Sequence, residues 1–171
     1  MLKIIGAVLI ICGTTSWGIC SVMQMKNRVK ALDSLVWSFD LMKDELCTNL
    51  TPMPELLRRM ADSAPKPASL FFEKAAEKIS ELGAKSFREI WITALNETPS
   101  LYLRRDEKDI LYELGGCLGR YDFESCGRAI QSAKNRLEKK AEQAERDRRM
   151  NSRLHAFLGV AAGMFAVVVL L

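Results

Sequence analysis

The chain has 171 residues, of which 49% are hydrophobic and 27% charged, with a net charge of +4, five cysteines and one histidine. Cys12, Cys20, Cys47, Cys117 and Cys126 contain no C-x-x-C pair and His155 stands alone, so neither a disulfide frame nor a zinc site is predicted. The positive charge is largely gathered beside apolar runs, where basic side chains favour an anionic leaflet, and it gives no ground for nucleic-acid binding.

The first element is an uncharged run from Ile4 to Met25, matched by a second from Leu154 to Leu171, and all 21 acidic residues lie between them. At about 1.5 Å per helical residue the runs reach roughly 33 Å and roughly 27 Å, against a hydrocarbon core of about 30 Å, so both are predicted to span a membrane. A cleaved signal peptide is the rival for the first run, since Lys3 precedes an apolar stretch. Against it, no A-x-A-like site follows, the run continues through Trp17, Val22 and Met23, and the residues before Cys12 and Cys20 are Ile11 and Ile19. Lys26, Arg28 and Lys30 follow the first run, and Arg146, Arg148, Arg149 and Arg153 precede the second. Basic residues beside a span stay on the cytoplasmic side, which predicts residues 26–153 in the cytoplasm and both termini outside it.

From Lys26 to Leu50 the positions Val29, Leu32, Val36, Phe39, Leu46 and Leu50 follow a helical period, with no proline or glycine separating them from the first run. One long helix should therefore leave the membrane and run on. Thr51-Pro52-Met53-Pro54-Glu55 stops it and starts a short second helix to about Ala61. After the stiff connector Ala64-Pro65-Lys66-Pro67, a third helix spans Ala68 to Leu82 and ends at Gly83. Ser86-Phe87-Arg88-Glu89 has capping-box spacing and opens a fourth. Asp106 is predicted to cap a fifth helix, carrying Ile110, Leu111 and Leu114 and ending in a turn at Gly115-Gly116-Cys117-Leu118-Gly119. Asp122 caps a last helix with no breaker through Arg149, which can continue into the second run.

The fold class is thus all-α: a compact antiparallel bundle of about six helices flanked by N- and C-terminal transmembrane helices, with divisions at 1–25, 26–153 and 154–171. Trp37, Trp91, Phe39, Phe71, Phe72, Phe87 and Phe123 are the expected core aromatics. The charge-rich stretch Lys134 to Arg149 reads as a solvated stalk held by i,i+4 ion pairs.

No motif for bond-making stands out. The phosphate-cradling G-x-x-x-x-G-K-[ST] is absent, and the glycines at 115, 116 and 119 follow no strand. Asp106, Glu107 and Asp109, or Asp122 and Glu124, could converge on a cation, but helix-start acids account for both groups. No enzyme activity, cofactor or metal is expected. Within the last run, Gly159 and Gly163 have the G-x-x-x-G spacing that lets another helix pack closely, with Gly6, Gly13 and Gly18 of the first run as its nearest candidate.

In order along the chain, Met1-Leu2-Lys3-Ile4-Ile5-Gly6-Ala7, Glu45 with Thr51-Pro52-Met53-Pro54-Glu55, Leu118-Gly119 with Asp122 and Glu124, and Leu158-Gly159-Val160 with Gly163 resemble the stage III sporulation protein AB family. That family is itself similar to the F domain of the type II secretion inner-membrane platform protein. Cys47 stands where an aromatic is more familiar, and Cys126 where glutamine is expected. The resemblance implies a non-enzymatic scaffold in a secretion-like channel complex of endospore formation, in the mother-cell-derived membrane around the forespore, docking a secretion-type ATPase and other channel subunits. Its contact candidates are Glu45, Thr51, Pro52, Pro54, Glu55, Gly119, Asp122 and Glu124. Self-association is left open. The alternative, from the residues alone, is a membrane-tethered signalling adaptor or sensor.

Overall fold

An unbroken apolar-to-amphipathic sequence gives an unbroken helix. In the computed structural model, which describes the backbone of residues 2–119 and 122–170 and the side chains of 23–119, 122 and 124–150, α1 (Leu2–Cys47) carries the first apolar run directly into the charged middle of the chain. It is followed by α2 (Met53–Ser63), α3 (Ala68–Lys78), α4 (Phe87–Asn96), α5 (Arg105–Leu118) and α6 (Phe123–Leu170), with 3-10 turns at Ile79–Glu81 and Pro99–Leu101. All the described regular structure is helical. The two runs predicted to span a membrane lie outside the described side chains but for residues 23–25, and Gly159, Gly163 and His155 lie outside them as well. Among the described residues no helix is long and apolar enough to cross a membrane.

α1 and α6 form the long antiparallel pair on which the rest is built. Cys47 lies against Gly127, Lys43 donates to the Gln131 Oε1 at 2.7 Å, and Lys134 pairs with Asp40 at 2.7 Å, so one helix rises as the other descends. Leu32, Leu35, Phe39 and Met42 of α1 are fully enclosed, and Leu137 and Ala144 of α6 are buried with them. The stretch from Lys134 to Arg149 is therefore not a free stalk. Its narrow stripe of Leu137, Ala141 and Ala144 packs into the core, because small side chains let two helices approach closely. Several of its charges reach other helices, as Arg136 to Glu113 and Lys140 to Asp106, while Arg146 and Arg149 make the expected i,i+4 pairs with Glu142 and Glu145.

The shorter helices close over one side. Trp91 of α4 is fully buried at their centre, edge-on to Phe71 at 4.7 Å and beside Phe72 and Phe87, and its Nε1 donates to the Leu111 carbonyl at 2.9 Å. Such an indole is accommodated only with its N–H satisfied. The capping box at Ser86 forms as its spacing predicts, the Ser86 amide donating to Glu89 at 2.7 Å and the Glu89 amide to the Ser86 hydroxyl at 3.3 Å.

Four further expectations are corrected. Trp37, expected in the core, is 48% exposed, because it faces away from the enclosed stripe of Leu32, Leu35 and Phe39. Leu50 lies beyond the end of α1 and is 58% exposed. Gly115 and Gly116 are helical residues of α5 rather than a turn, and the helix stops only at Gly119. Finally, α5 begins at Arg105, and the acid that caps it is Glu107, which accepts from the Arg104 amide at 2.7 Å, while Asp106 turns to Lys140. Phe123 lies outside the described side chains.

Candidate partner-binding end of the bundle

The end of α1 is held by its own acid. Glu45 accepts from the Thr51 hydroxyl at 2.8 Å, while the Thr51 amide donates to the Glu45 carbonyl at 3.1 Å, folding residues 48–51 back over the last turn. Thr51 is buried by this clasp. The intervening Leu50 is left at φ +50°, a left-handed conformation unfavourable for a branched side chain. Pro52 then occupies the N-cap of α2 with φ −58°, its carbonyl accepting from the Leu56 amide at 2.8 Å, and Pro54 falls in the first turn, where a missing N–H costs nothing. Arg59, one turn on from Glu55, bridges Glu55 at 2.7 Å and Glu45 at 3.0 Å. Arg59 escaped sequence reasoning, although its i,i+4 spacing from Glu55 was visible.

A second group lies at the start of α6. Asp122 accepts from the Glu124 amide at 3.2 Å and from the Ser125 hydroxyl, the N-cap role its position predicts. Glu124 pairs with Arg128 at 2.7 Å. Gly119, which ends α5, stands beside Phe87.

Because α1 and α6 are antiparallel, the end of one meets the start of the other. The structure thus brings Glu45, Thr51, Pro52, Pro54 and Glu55, and separately Gly119, Asp122 and Glu124, to one end of the bundle. They do not merge into one cluster. A shallow hollow lined by Lys43, Cys47, Glu124, Gly127, Arg128 and Gln131 lies on the α6 side. Glu45, two residues before Cys47, belongs to the α2 side.

The electrostatics suit recognition. The Thr51 hydroxyl, then Asn49 and Arg59, hold the Glu45 carboxyl below its ordinary value, and the Ser125 hydroxyl does the same for Asp122, so both carry full charge at neutral pH. Burial pushes the Cys126 thiol up, with the Asp122 charge adding to it, which keeps the sulfur protonated and unreactive. Fixed carboxylates, helix-end backbone and an exposed Leu50 lie together on the α2 side of this end. Among the described residues no three His, Cys, Asp or Glu side chains gather as a metal site would require, and Asp106 and Glu107 are engaged by Lys140 and Arg28.

The comparisons agree with this architecture. The chain is 26% identical over 172 residues to stage III sporulation protein AB of Bacillus subtilis (strain 168), covering 100% of both chains. A solved structure of a stage III sporulation protein AB superposes with a TM-score of 0.65 at 22% identity, over 72% of this chain and 97% of that one, a likeness of fold. The family described as stage III sporulation protein AB matches residues 3–171, and the chain belongs to that family.

Proposed function

We propose that the chain is a non-enzymatic platform subunit of a secretion-like channel complex. The terminal runs of α1 and α6 hold it in the mother-cell-derived membrane around the forespore, with both termini outside the cytoplasm. The end of the bundle formed by Glu45, Thr51, Pro52, Pro54, Glu55, Gly119, Asp122 and Glu124 then docks a cytoplasmic secretion-type ATPase. Membership of the family supports a role in sporulation.

The observation that carries the docking reading is positional. Both groups of contact candidates, more than sixty residues apart in sequence, fall at the end of the α1–α6 pair farthest from the terminal apolar runs. A subunit anchored at one end presents the opposite end to a cytoplasmic partner. The test is capture of the ATPase from membranes of sporulating cells by the full chain and by a variant carrying Glu55→Lys and Asp122→Lys. Both side chains are exposed, the lost Asp122 cap costs only about 1 kcal/mol, and capture falls at least tenfold with the helical fold retained by circular dichroism. Undiminished capture would overturn this docking end.

A further inference from the structure

A second surface lies along the side of the bundle. Where α1 and α6 run together, they form a long groove whose walls include Lys26, Lys30, Asp33 and Trp37 on one helix and Glu138 and Glu142 on the other. The α1 residues 26, 30, 33, 37 and 40 alternate steps of four and three, the spacing that presents one continuous stripe to a third helix. Trp37 stands half-exposed in the middle of that stripe, with Val29 and Val36 partly uncovered beside it. Tryptophan is among the side chains enriched as anchors of protein interfaces.

The charges along the groove are not balanced internally. Glu145, Asp40 and Glu142 are engaged by Arg148 and Arg149, by Lys134 and by Arg146. Among the described residues, no cation lies within ion-pair distance of Asp33 or Glu138, and no acid within that distance of Lys26 or Lys30. A like charge, Glu145 across the seam, acts on Asp33. The groove therefore has a polarity: base without an ion-pair partner at the end toward Met23 and Arg148, and acid without one around Trp37, at Asp33 and Glu138.

The geometry points to this groove as the seat of an amphipathic helix from a different protein, laid along α1 and α6. Its apolar stripe covers Trp37, its acidic residues face Lys26 and Lys30, and its basic residues face Asp33 and Glu138. A second copy of this chain is the obvious rival. Two copies related by a parallel two-fold axis would set Lys26 and Lys30 near their own equivalents and Asp33 near its own, opposing association. An antiparallel pair would be complementary, but it would point the apolar runs of the two copies in opposite directions. Exclusion of that pair rests on the proposed anchoring of both runs in one membrane. It does not depend on ATPase docking at the far end.

The experiment places the photo-cross-linking amino acid benzoylphenylalanine at position 37 of the full chain in sporulating cells, and maps the cross-linked segment by mass spectrometry. The expected product joins position 37 to a helical segment of another protein with acidic residues on one flank and basic residues on the other. Its yield falls at least tenfold when Asp33→Lys and Glu138→Lys are introduced together, and falls by a smaller factor with the milder Asp33→Asn and Glu138→Gln pair; full yield from that neutral pair overturns the proposal. A cross-link to a second copy, to lipid, to a segment without that charge pattern, or to nothing overturns the proposal. Alkaline carbonate extraction of the same membranes reports separately on anchoring, so loss of the protein from the membrane pellet identifies failure of that premise instead.

Discussion

Arg28 of α1 and Glu107 of α5, 79 residues apart, form a buried ion pair that ties the N-terminal helix to the second layer of the bundle. The Arg28 Nε donates to the Glu107 Oε1 at 3.0 Å, a terminal guanidinium nitrogen donates to the same oxygen, and Glu107 is fully enclosed. Its other oxygen accepts from the Arg104 amide, so one carboxylate both caps α5 and neutralises a buried cation. Removing one partner from such a pair leaves an uncompensated charge in the interior, at a cost of about 3–5 kcal/mol. Glu107→Leu should destabilise the chain by that amount in guanidinium titration of the detergent-solubilised protein followed by circular dichroism. The double variant Arg28→Met with Glu107→Leu should return to within about 1–2 kcal/mol of the parent, the remainder being the lost cap. A double variant no better than the single would mean that the ion pair itself is required.

Two adjacent glycines of α5 should respond to alanine with opposite signs. A Cβ at Gly115 would stand 2.4 Å from Cδ1 and 2.8 Å from Cγ of the fully buried Trp91, whose indole is fixed by its bond to Leu111. That ring cannot retreat, and Gly115→Ala should cost about 1–3 kcal/mol of overpacking. At Gly116 the nearest atom is Cδ of Arg88 at 3.7 Å, an ordinary contact. There the higher helix propensity of alanine should stabilise by about 0.5–1 kcal/mol. Thermal melts of the two variants check this, and equal effects would mean that Trp91 adjusts.

The helices were legible because their punctuation is local: Pro52 and Pro54, Pro65 and Pro67, the Ser86 to Glu89 box and Asp122 each act within one turn. The glycine cluster misled because glycine ends helices often, whereas Gly115 is demanded by a ring from another helix. Arg28 and Glu107 looked like surface charges, but a signal was present. Arg28 stands at i, i+4 and i+7 with Leu32 and Leu35, and Glu107 at i, i+3, i+4 and i+7 with Ile110, Leu111 and Leu114. Opposite charges on two apolar stripes invite pairing, yet only tertiary register shows that they meet. Of the contact candidates, local clasps such as Glu45 with Thr51 follow from short spacing. Their convergence with Asp122 at one end required the antiparallel pairing of α1 and α6.

Asp33 should make the fold slightly less stable at neutral pH. Burial, and then the facing charge of Glu145, raise its carboxyl above 3.8, while Arg148 and Arg149 hold Glu145 down to about 2. For an acid raised on folding, the folded state binds the proton more tightly, so ionised Asp33 opposes folding above its folded value and the penalty fades as pH falls. Glu145 has the opposite sign, its stabilisation being full above its unfolded value and lost as pH falls toward about 2. Asp33→Asn should therefore stabilise by up to about 0.5 kcal/mol at pH 7 and by nothing near pH 3, where the parent residue is protonated in both states. Melting curves at the two pH values decide it. A gain that persists in acid would locate the effect in packing. A destabilising charge beside exposed Trp37 is what an interaction surface, rather than a stability element, would retain.

Leu50 separates folding from binding at the proposed docking end. Its left-handed backbone costs roughly 1 kcal/mol for a residue with a Cβ, and its side chain is mostly in solvent. Leu50→Gly relieves the strain and adds backbone entropy to the unfolded chain, two terms of similar size, so stability should stay within about 0.5 kcal/mol of the parent. Thr51→Val, by contrast, removes the hydroxyl that Glu45 accepts and should cost about 1–2 kcal/mol. If the clasp exists to present Leu50 to a partner, both variants lose captured ATPase, although only the second loses stability. Capture that follows stability, falling for Thr51→Val and unchanged for Leu50→Gly, would remove Leu50 from the contact surface and leave the neighbouring carboxylates to carry it.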